Sequence, residues 1–113
     1  MKLIVAYIQP ERLDQVKQAL FEIECYTMSV TSSLGCGKQR GFRESYRGSE
    51  HEVELLKKLR IEIGLRDELV ASTVEAIIQG ARTGNIGDGK IFVLEMPECI
   101  RIRTGEKGDE AIC

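Results

Sequence analysis

The stretch LRIEIGLRDELVASTVEAIIQGARTGNIGDGKIFVL, residues 59–94, changes its hydrophobic period as it runs and so reads as strand, helix, turn and strand. Leu59, Ile61, Ile63 and Leu65 alternate with Arg60, Glu62 and Gly64, the period of a strand with one face on a core. After Arg66-Asp67, the apolar residues Val70, Val74, Ile77, Ile78 and Ala81 recur at helical spacing, which predicts an amphipathic helix. A glycine-rich segment, Gly84 to Gly89, ends it. Ile91 to Leu94 is then a short, continuous apolar run that predicts another strand.

The N-terminal half has a similar order. Leu3 to Ile8 is an apolar run closed by Pro10, and Leu13, Val16, Leu20 and Ile23 form a helical stripe opposite Glu11, Asp14, Gln15, Lys17 and Gln18. From Thr27 to Leu34, Met28, Val30 and Leu34 alternate with Thr27, Ser29, Thr31 and Ser33, predicting a second strand. The order βαββαβ predicts an α+β ferredoxin-like sandwich, with both helices on one face of an antiparallel sheet. A further short strand is expected at Ile100 to Arg103. The first and fourth strands are apolar at successive positions, so both faces of the sheet should be covered, yet two helices cover only one. Association of copies through the open face resolves this.

With 113 residues the chain fits one domain, 1–113. Its 42% apolar and 30% charged residues exclude a disordered or fibrous chain, and a net charge of −2 offers no bulk attraction for nucleic acid or anionic lipid. Cys25, Cys36, Cys99 and Cys113 fall singly and form no zinc motif, a pattern suited to a reducing compartment. Residues 1–10 read as neither a signal peptide nor a membrane span, so a cytoplasmic protein is expected.

Between the second and third strands, Gly35 to Leu55 is rich in glycine and charge and has no sustained period. Structureless loops beyond ~12 to 15 residues are uncommon in a compact domain and are usually functional or disordered. The segment 37–55 is therefore expected to be a mobile functional loop, because ordering it costs backbone entropy until a ligand or partner compensates. At its root, Gly35-Cys-Gly-Lys-Gln-Arg-Gly41 combines small residues with Lys38 and Arg40. The Gln39 amide oxygen suits a hard cation such as Mg2+, although a solvated basic turn fits the same spacing.

In the turn 82–90, Gly84, Gly87 and Gly89 permit positive φ and let amide N–H groups face an anion, while Lys90 adds charge at the rim. Phosphate is the natural ligand, but the segment is not a Walker A motif, since its lysine enters a strand, and a plain turn fits equally well. Arg101 and Arg103, two apart on the expected strand, would project from one face toward a shared anion. The competing reading is a solvated pair beside Glu98 and Glu106.

Taken together, Gly35-x-Gly37, Gln39-x-Gly41, Tyr46-Arg-Gly48, Ala81-Arg-Thr-Gly84, Ile86-Gly-Asp-Gly-Lys-Ile-Phe-Val93 and Ile100-Arg-Ile-Arg-Thr-Gly-Glu106 make the chain resemble PII nitrogen-regulatory signal-transduction proteins nearly end to end. The resemblance implies a homotrimer with three ATP or ADP clefts between subunits. Gly35, Gly37, Lys38, Gly87, Asp88, Gly89 and Lys90 would hold phosphates from one subunit, and Arg101 and Arg103 would reach across from its neighbour. Adenine would lie near Tyr7, Ser29, Glu62 and Gly64. Gln39 would complete an Mg2+ site with ATP and 2-oxoglutarate, Lys58 would pair with a carboxylate of that acid, and Gly41 and Gly87 would lie against it. The loop would dock on an ammonium channel or a nitrogen-metabolism enzyme, with Tyr46, Arg47, Ser49 and His51 as its contact residues.

The chain departs from the family pattern at Cys36, where an aromatic is usual, at Lys38, where arginine is usual, and at His51, where many bacterial members carry a nucleotidylylated tyrosine. Ser49 matches a position phosphorylated in some members. Two other functions compete with a regulator. A phosphoryl-transfer enzyme would need a paired nucleophile and base, which the sequence does not suggest. An RNA-binding module of the same element order would stack bases on strand aromatics, and Leu59 to Ile63 has none.

Overall fold

A computed structural model describes residues 1–36, 42–44, 51–53 and 55–112, with the two short internal stretches described by their backbone. The elements are β1 (Lys2–Ile8), α1 (Leu13–Glu22), β2 (Ser29–Gly35), β3 (Phe42–Glu44), β4 (His51–Val53), β5 (Leu56–Leu65), α2 (Val70–Ala81), β6 (Gly89–Glu95) and α3 (Asp109–Ile112). Pro10–Arg12 and Asp67–Leu69 are single 3-10 turns that lead into α1 and α2. Proline at the first position of such a turn costs nothing, because its missing N–H has no intrahelical partner anyway.

Four strands pair antiparallel in the order β2-β5-β1-β6, the α+β sandwich expected from the sequence. Their alternation divides the sheet. Ile4, Ala6 and Ile8 of β1 and Ile61, Ile63 and Leu65 of β5 lie on one face and are buried with Val16 and Leu20 of α1 and Ala76, Ile77 and Ala81 of α2. Burial of each large aliphatic side chain among these contributes roughly 1.5 to 3 kcal/mol. The two helices meet closely at Gly80, where an added Cβ would stand 2.6 Å from the Val16 Cα. Arg12 fastens the same contact by donating from Nε to the Gly80 carbonyl at 3.0 Å.

The register places Leu3, Val5 and Tyr7 on the opposite face, together with Ser29 and Gly35 of β2, Lys58, Glu62 and Gly64 of β5, and Lys90, Phe92 and Leu94 of β6. The C-terminal segment reaches this face. Met96 and Ile112 stand against Gly64 at one end, and Phe92 and Leu94 remain 48% and 46% exposed. Among the described residues this face is thus covered only in part: Val5 is buried, while Phe92 and Leu94 stay half-exposed.

Three differences from the sequence reading have physical causes. Ile100 to Arg103 is not a strand: Ile100 makes one antiparallel bridge to Lys107, and the chain then turns. The turn closes on itself, since the Arg101 N–H donates to the Glu106 carbonyl and the Gly105 N–H donates back to the Arg101 carbonyl, with Gly105 and Gly108 at positive φ. Local hydrogen bonds satisfy the backbone that a sheet edge would otherwise have bound. Within 37–55, β3 and β4 pair as a two-stranded ribbon that no period in the sequence announces. β5 begins three residues before Leu59, because pairing with β2 extends to Gly35 opposite Leu56.

Gly80→Ala is expected to push the helices apart and to lower the unfolding free energy by about 1 to 3 kcal/mol, the cost of overpacking, measured by urea denaturation.

Candidate functional site

The turn between α2 and β6 is held by three sets of contacts. Asp88 accepts hydrogen bonds from the backbone N–H groups of Thr83 at 2.8 Å and Gly84 at 2.9 Å, and from the Thr83 hydroxyl. These bonds, the Thr83 hydroxyl first, hold the Asp88 carboxyl below its ordinary value against the opposing effect of burial, and the Arg12 charge adds to them. At the next position back, the Gly87 carbonyl accepts from Lys58 Nζ at 3.0 Å and from Gln9 Nε2 at 3.1 Å. Last, Gly89 sits at φ +112, where a Cβ would fall 1.7 Å from the Tyr7 carbonyl oxygen. Only glycine lets β6 start directly beside β1 there.

Beside this turn opens a cleft of about 520 Å³, lined by Tyr7, Gly35, Lys58, Gly87, Gly89 and Lys90 and floored in part by Phe92. Six residues singled out from the sequence therefore meet in one concavity, and Asp88 stands behind it as the brace of the turn. Ser29, Glu62 and Gly64 lie elsewhere. They line a second cleft, about 420 Å³, at the other end of the open face with Met96, Cys99 and Ile112. Within one chain the expected adenine residues are thus divided, Tyr7 in the first cleft and the other three in the second. Glu62 is already engaged, accepting from Arg60 Nη2 at 2.8 Å.

Arg101 and Arg103 do not share a strand face. Arg101 donates to Glu106 Oε1 at 2.7 Å and to the Glu110 carbonyl at 2.9 Å, so its fork is filled by its own loop, while Arg103 is exposed beside the fully exposed Ile102. Gly37, Lys38, Gln39, Gly41, Tyr46, Arg47 and Ser49, and the side chain of His51, lie outside the described residues. Among the described residues no three His, Cys, Asp or Glu side chains gather as a metal site. Sequence reasoning passed over Gln9, Arg12 and Thr83. Thr83 carried a signal in its spacing to Gly84 and Asp88 in a turn, whereas Gln9 and Arg12 are recognisable only once β1 and α2 are brought together.

Fold and site define a small α+β binding domain, with a glycine turn and two lysines around a cleft on an uncovered sheet face. Comparison with known proteins narrows the class. The family model for nitrogen regulatory protein P-II matches residues 1–106. A nitrogen regulatory protein P-II of Azospirillum brasilense is 52% identical over 112 residues, 99% of this chain and 100% of its own length. The nitrogen regulatory protein P-II 2 of Methanothermobacter thermautotrophicus is 51% identical over 99% of this chain and 97% of its own. The crystal structure of Arabidopsis thaliana PII bound to citrate superposes with a TM-score of 0.79 at 36% identity, over 98% of this chain and 88% of that one. The chain belongs to the nitrogen regulatory P-II family of signal-transduction proteins, which are regulators of nitrogen metabolism and not enzymes. A phosphoryl-transfer role is accordingly not favoured.

Because the folded Asp88 carboxyl lies below its ordinary value of 3.8, its contribution to the turn is complete above that value and is lost as pH falls through the depressed one. Carboxyl NMR is expected to show Asp88 titrating below 3.8, with the Thr83 and Gly84 amide shifts following it. Asp88→Ala is expected to speed hydrogen exchange of those two amides.

Proposed function

We propose that this protein senses ATP or ADP together with 2-oxoglutarate, as a homotrimer, and reports the result to a nitrogen-metabolism target through the segment 37–55. The observation that carries this reading is the division of the site. Tyr7, Lys58, Gly87 and Lys90 stand at one end of an uncovered sheet face and Ser29, Glu62 and Gly64 at the other, so neither cleft of one chain contains a whole nucleotide site. Copies packed with these faces inward would bring the two ends together and cover Phe92 and Leu94. Ile102, fully exposed between Arg101 and Arg103, would then anchor the C-terminal loop on the neighbour and bring Arg103 to the phosphates.

In this arrangement Gly35, Gly37, Lys38, Gly87, Gly89 and Lys90 hold the phosphate chain, with Asp88 bracing the turn, and Arg101 and Arg103 act from the adjoining subunit. Arg101 would exchange Glu106 for the stronger phosphate acceptor. The Lys58 ammonium, now on a neutral carbonyl, suits a carboxylate of 2-oxoglutarate, which Gly41 and Gly87 would border. An Mg2+ ion would take the Gln39 amide oxygen as its protein ligand and the rest of its shell from ATP, the 2-oxo acid and water, in keeping with the few protein ligands this ion needs. A relative of the same fold bound to citrate supports a site for polycarboxylates. Binding at Gln39, the root of the 37–55 segment, would favour one conformation of Tyr46, Arg47, Ser49 and His51 and so change affinity for the target, an ammonium channel or a nitrogen-metabolism enzyme. Among the described residues no helix is long and apolar enough to cross a membrane.

Calorimetry with ATP, ADP and 2-oxoglutarate, with and without Mg2+, tests the reading: 2-oxoglutarate is expected to bind only alongside Mg-ATP, and equal binding without nucleotide would refute the shared site. Arg103→Ala is expected to weaken ATP binding by about 1.5 to 3 kcal/mol, the scale of a hydrogen bond to a charged group. Light scattering is expected to find a trimer, and a stable monomer at micromolar concentration would count against the divided site.

Co-sedimentation with membranes carrying an ammonium channel addresses the target. Binding in ADP that is lost with Mg-ATP plus 2-oxoglutarate, and lost in Arg47→Ala, is the expected pattern.

A further inference from the structure

Two side chains from separate parts of the chain converge on the Gly87 carbonyl in the glycine turn. Lys58 comes from β5 at 3.0 Å and Gln9, the residue after β1, at 3.1 Å. The two donors are not equivalent. Lys58 is a cation lining the first cleft and spends one of its three N–H groups on a neutral acceptor, so an anion entering the cleft competes favourably for it. Gln9 is neutral, adjoins Pro10 at the edge of the core, and has no comparable reason to leave. If Lys58 alone held the carbonyl, turning to an anion would leave a part-buried oxygen unpaired and release the turn just when it must present its amides. With Gln9 in place the carbonyl keeps a donor throughout.

We propose that Gln9 is a positioning residue of this cleft: it retains the Gly87 carbonyl while Lys58 transfers from that carbonyl to a carboxylate of the bound ligand. Gln9 touches neither nucleotide nor acid; it acts through the turn. The proposal rests on the sensing function above, and it makes the two donors redundant for nucleotide binding and non-redundant for the acid. Mg-ATP needs the turn in place, which either donor secures. The 2-oxo acid needs Lys58 free, which only Gln9 permits.

The test is calorimetry on the full chain with two titrations, Mg-ATP alone and 2-oxoglutarate at saturating Mg-ATP. Gln9→Met matches the side chain in size and lacks the N–H donor; circular dichroism checks its fold. It is expected to weaken 2-oxoglutarate binding about tenfold, the loss of one hydrogen bond to a group left without a partner, and Mg-ATP binding by distinctly less. In a Lys58→Met background the same change is expected to weaken Mg-ATP binding about tenfold, because the carbonyl then has neither donor. Gln9→Lys, which restores an N–H donor of similar reach, is expected to return the ratio of the two affinities toward that of the wild type. Equal losses in both titrations, or the same Mg-ATP loss with and without Lys58, would overturn the role of Gln9 and leave the sensor reading intact. Failure of the wild type to bind nucleotide would overturn both, and shows in the wild type before any variant is made.

Discussion

Two helices can cover one face of a four-stranded sheet and no more, and that limit shapes the rest of this molecule. The covered face holds Ile4, Ala6, Ile8, Ile61, Ile63 and Leu65 in a dry core with the helices. On the other face the same alternation sets Leu3, Val5, Phe92 and Leu94 among lysines, serines, Arg60 and Glu62. Val5 is buried among its neighbours there, while Phe92 and Leu94 form a half-exposed apolar patch beside polar groups. The residues of the proposed site lie at the two ends of that face.

The glycine turn is rigid for reasons independent of any ligand. Asp88 ties its beginning together, Gln9 and Lys58 fasten its middle, and Gly89 locks its end against the Tyr7 carbonyl. Such bracing leaves the amides of the turn little freedom to lose. The bracing also joins the turn to β1 and to β5, and β5 starts at Leu56, opposite Gly35 at the end of β2, where the chain returns from the 37–55 segment. Lys58 therefore links the glycine turn to the strand that follows the segment.

The Arg101 loop behaves differently. Its guanidinium is satisfied by Glu106 and the Glu110 carbonyl, so the loop carries its own counterion. A cation held in such a local pair has already given up part of its side-chain freedom. Arg103 and Ile102 project from the same loop into solvent.

Much of this was legible in the sequence. Alternation from Leu59 to Leu65 and helical spacing from Val70 to Ala81 marked the core, because burial acts on side chains at fixed periods and a chain with one core records those periods directly. Glycines 84, 87 and 89 with Lys90 marked the turn, and the motifs around it marked the family. What the sequence left open was decided by contacts between residues far apart in the chain or by local hydrogen bonds that compete with a strand. Gln9 and Lys58 meet at Gly87 only because β1, β5 and α2 converge there. Ser29, Glu62 and Gly64 part from Tyr7 because the antiparallel register sets them at opposite ends of the face. Ile100 to Arg103 turns instead of extending because Glu106 and Gly105 return to Arg101 within five residues. Periodicity reports which side of an element is buried; which groups meet across elements depends on register and packing, and those exist only in the folded chain.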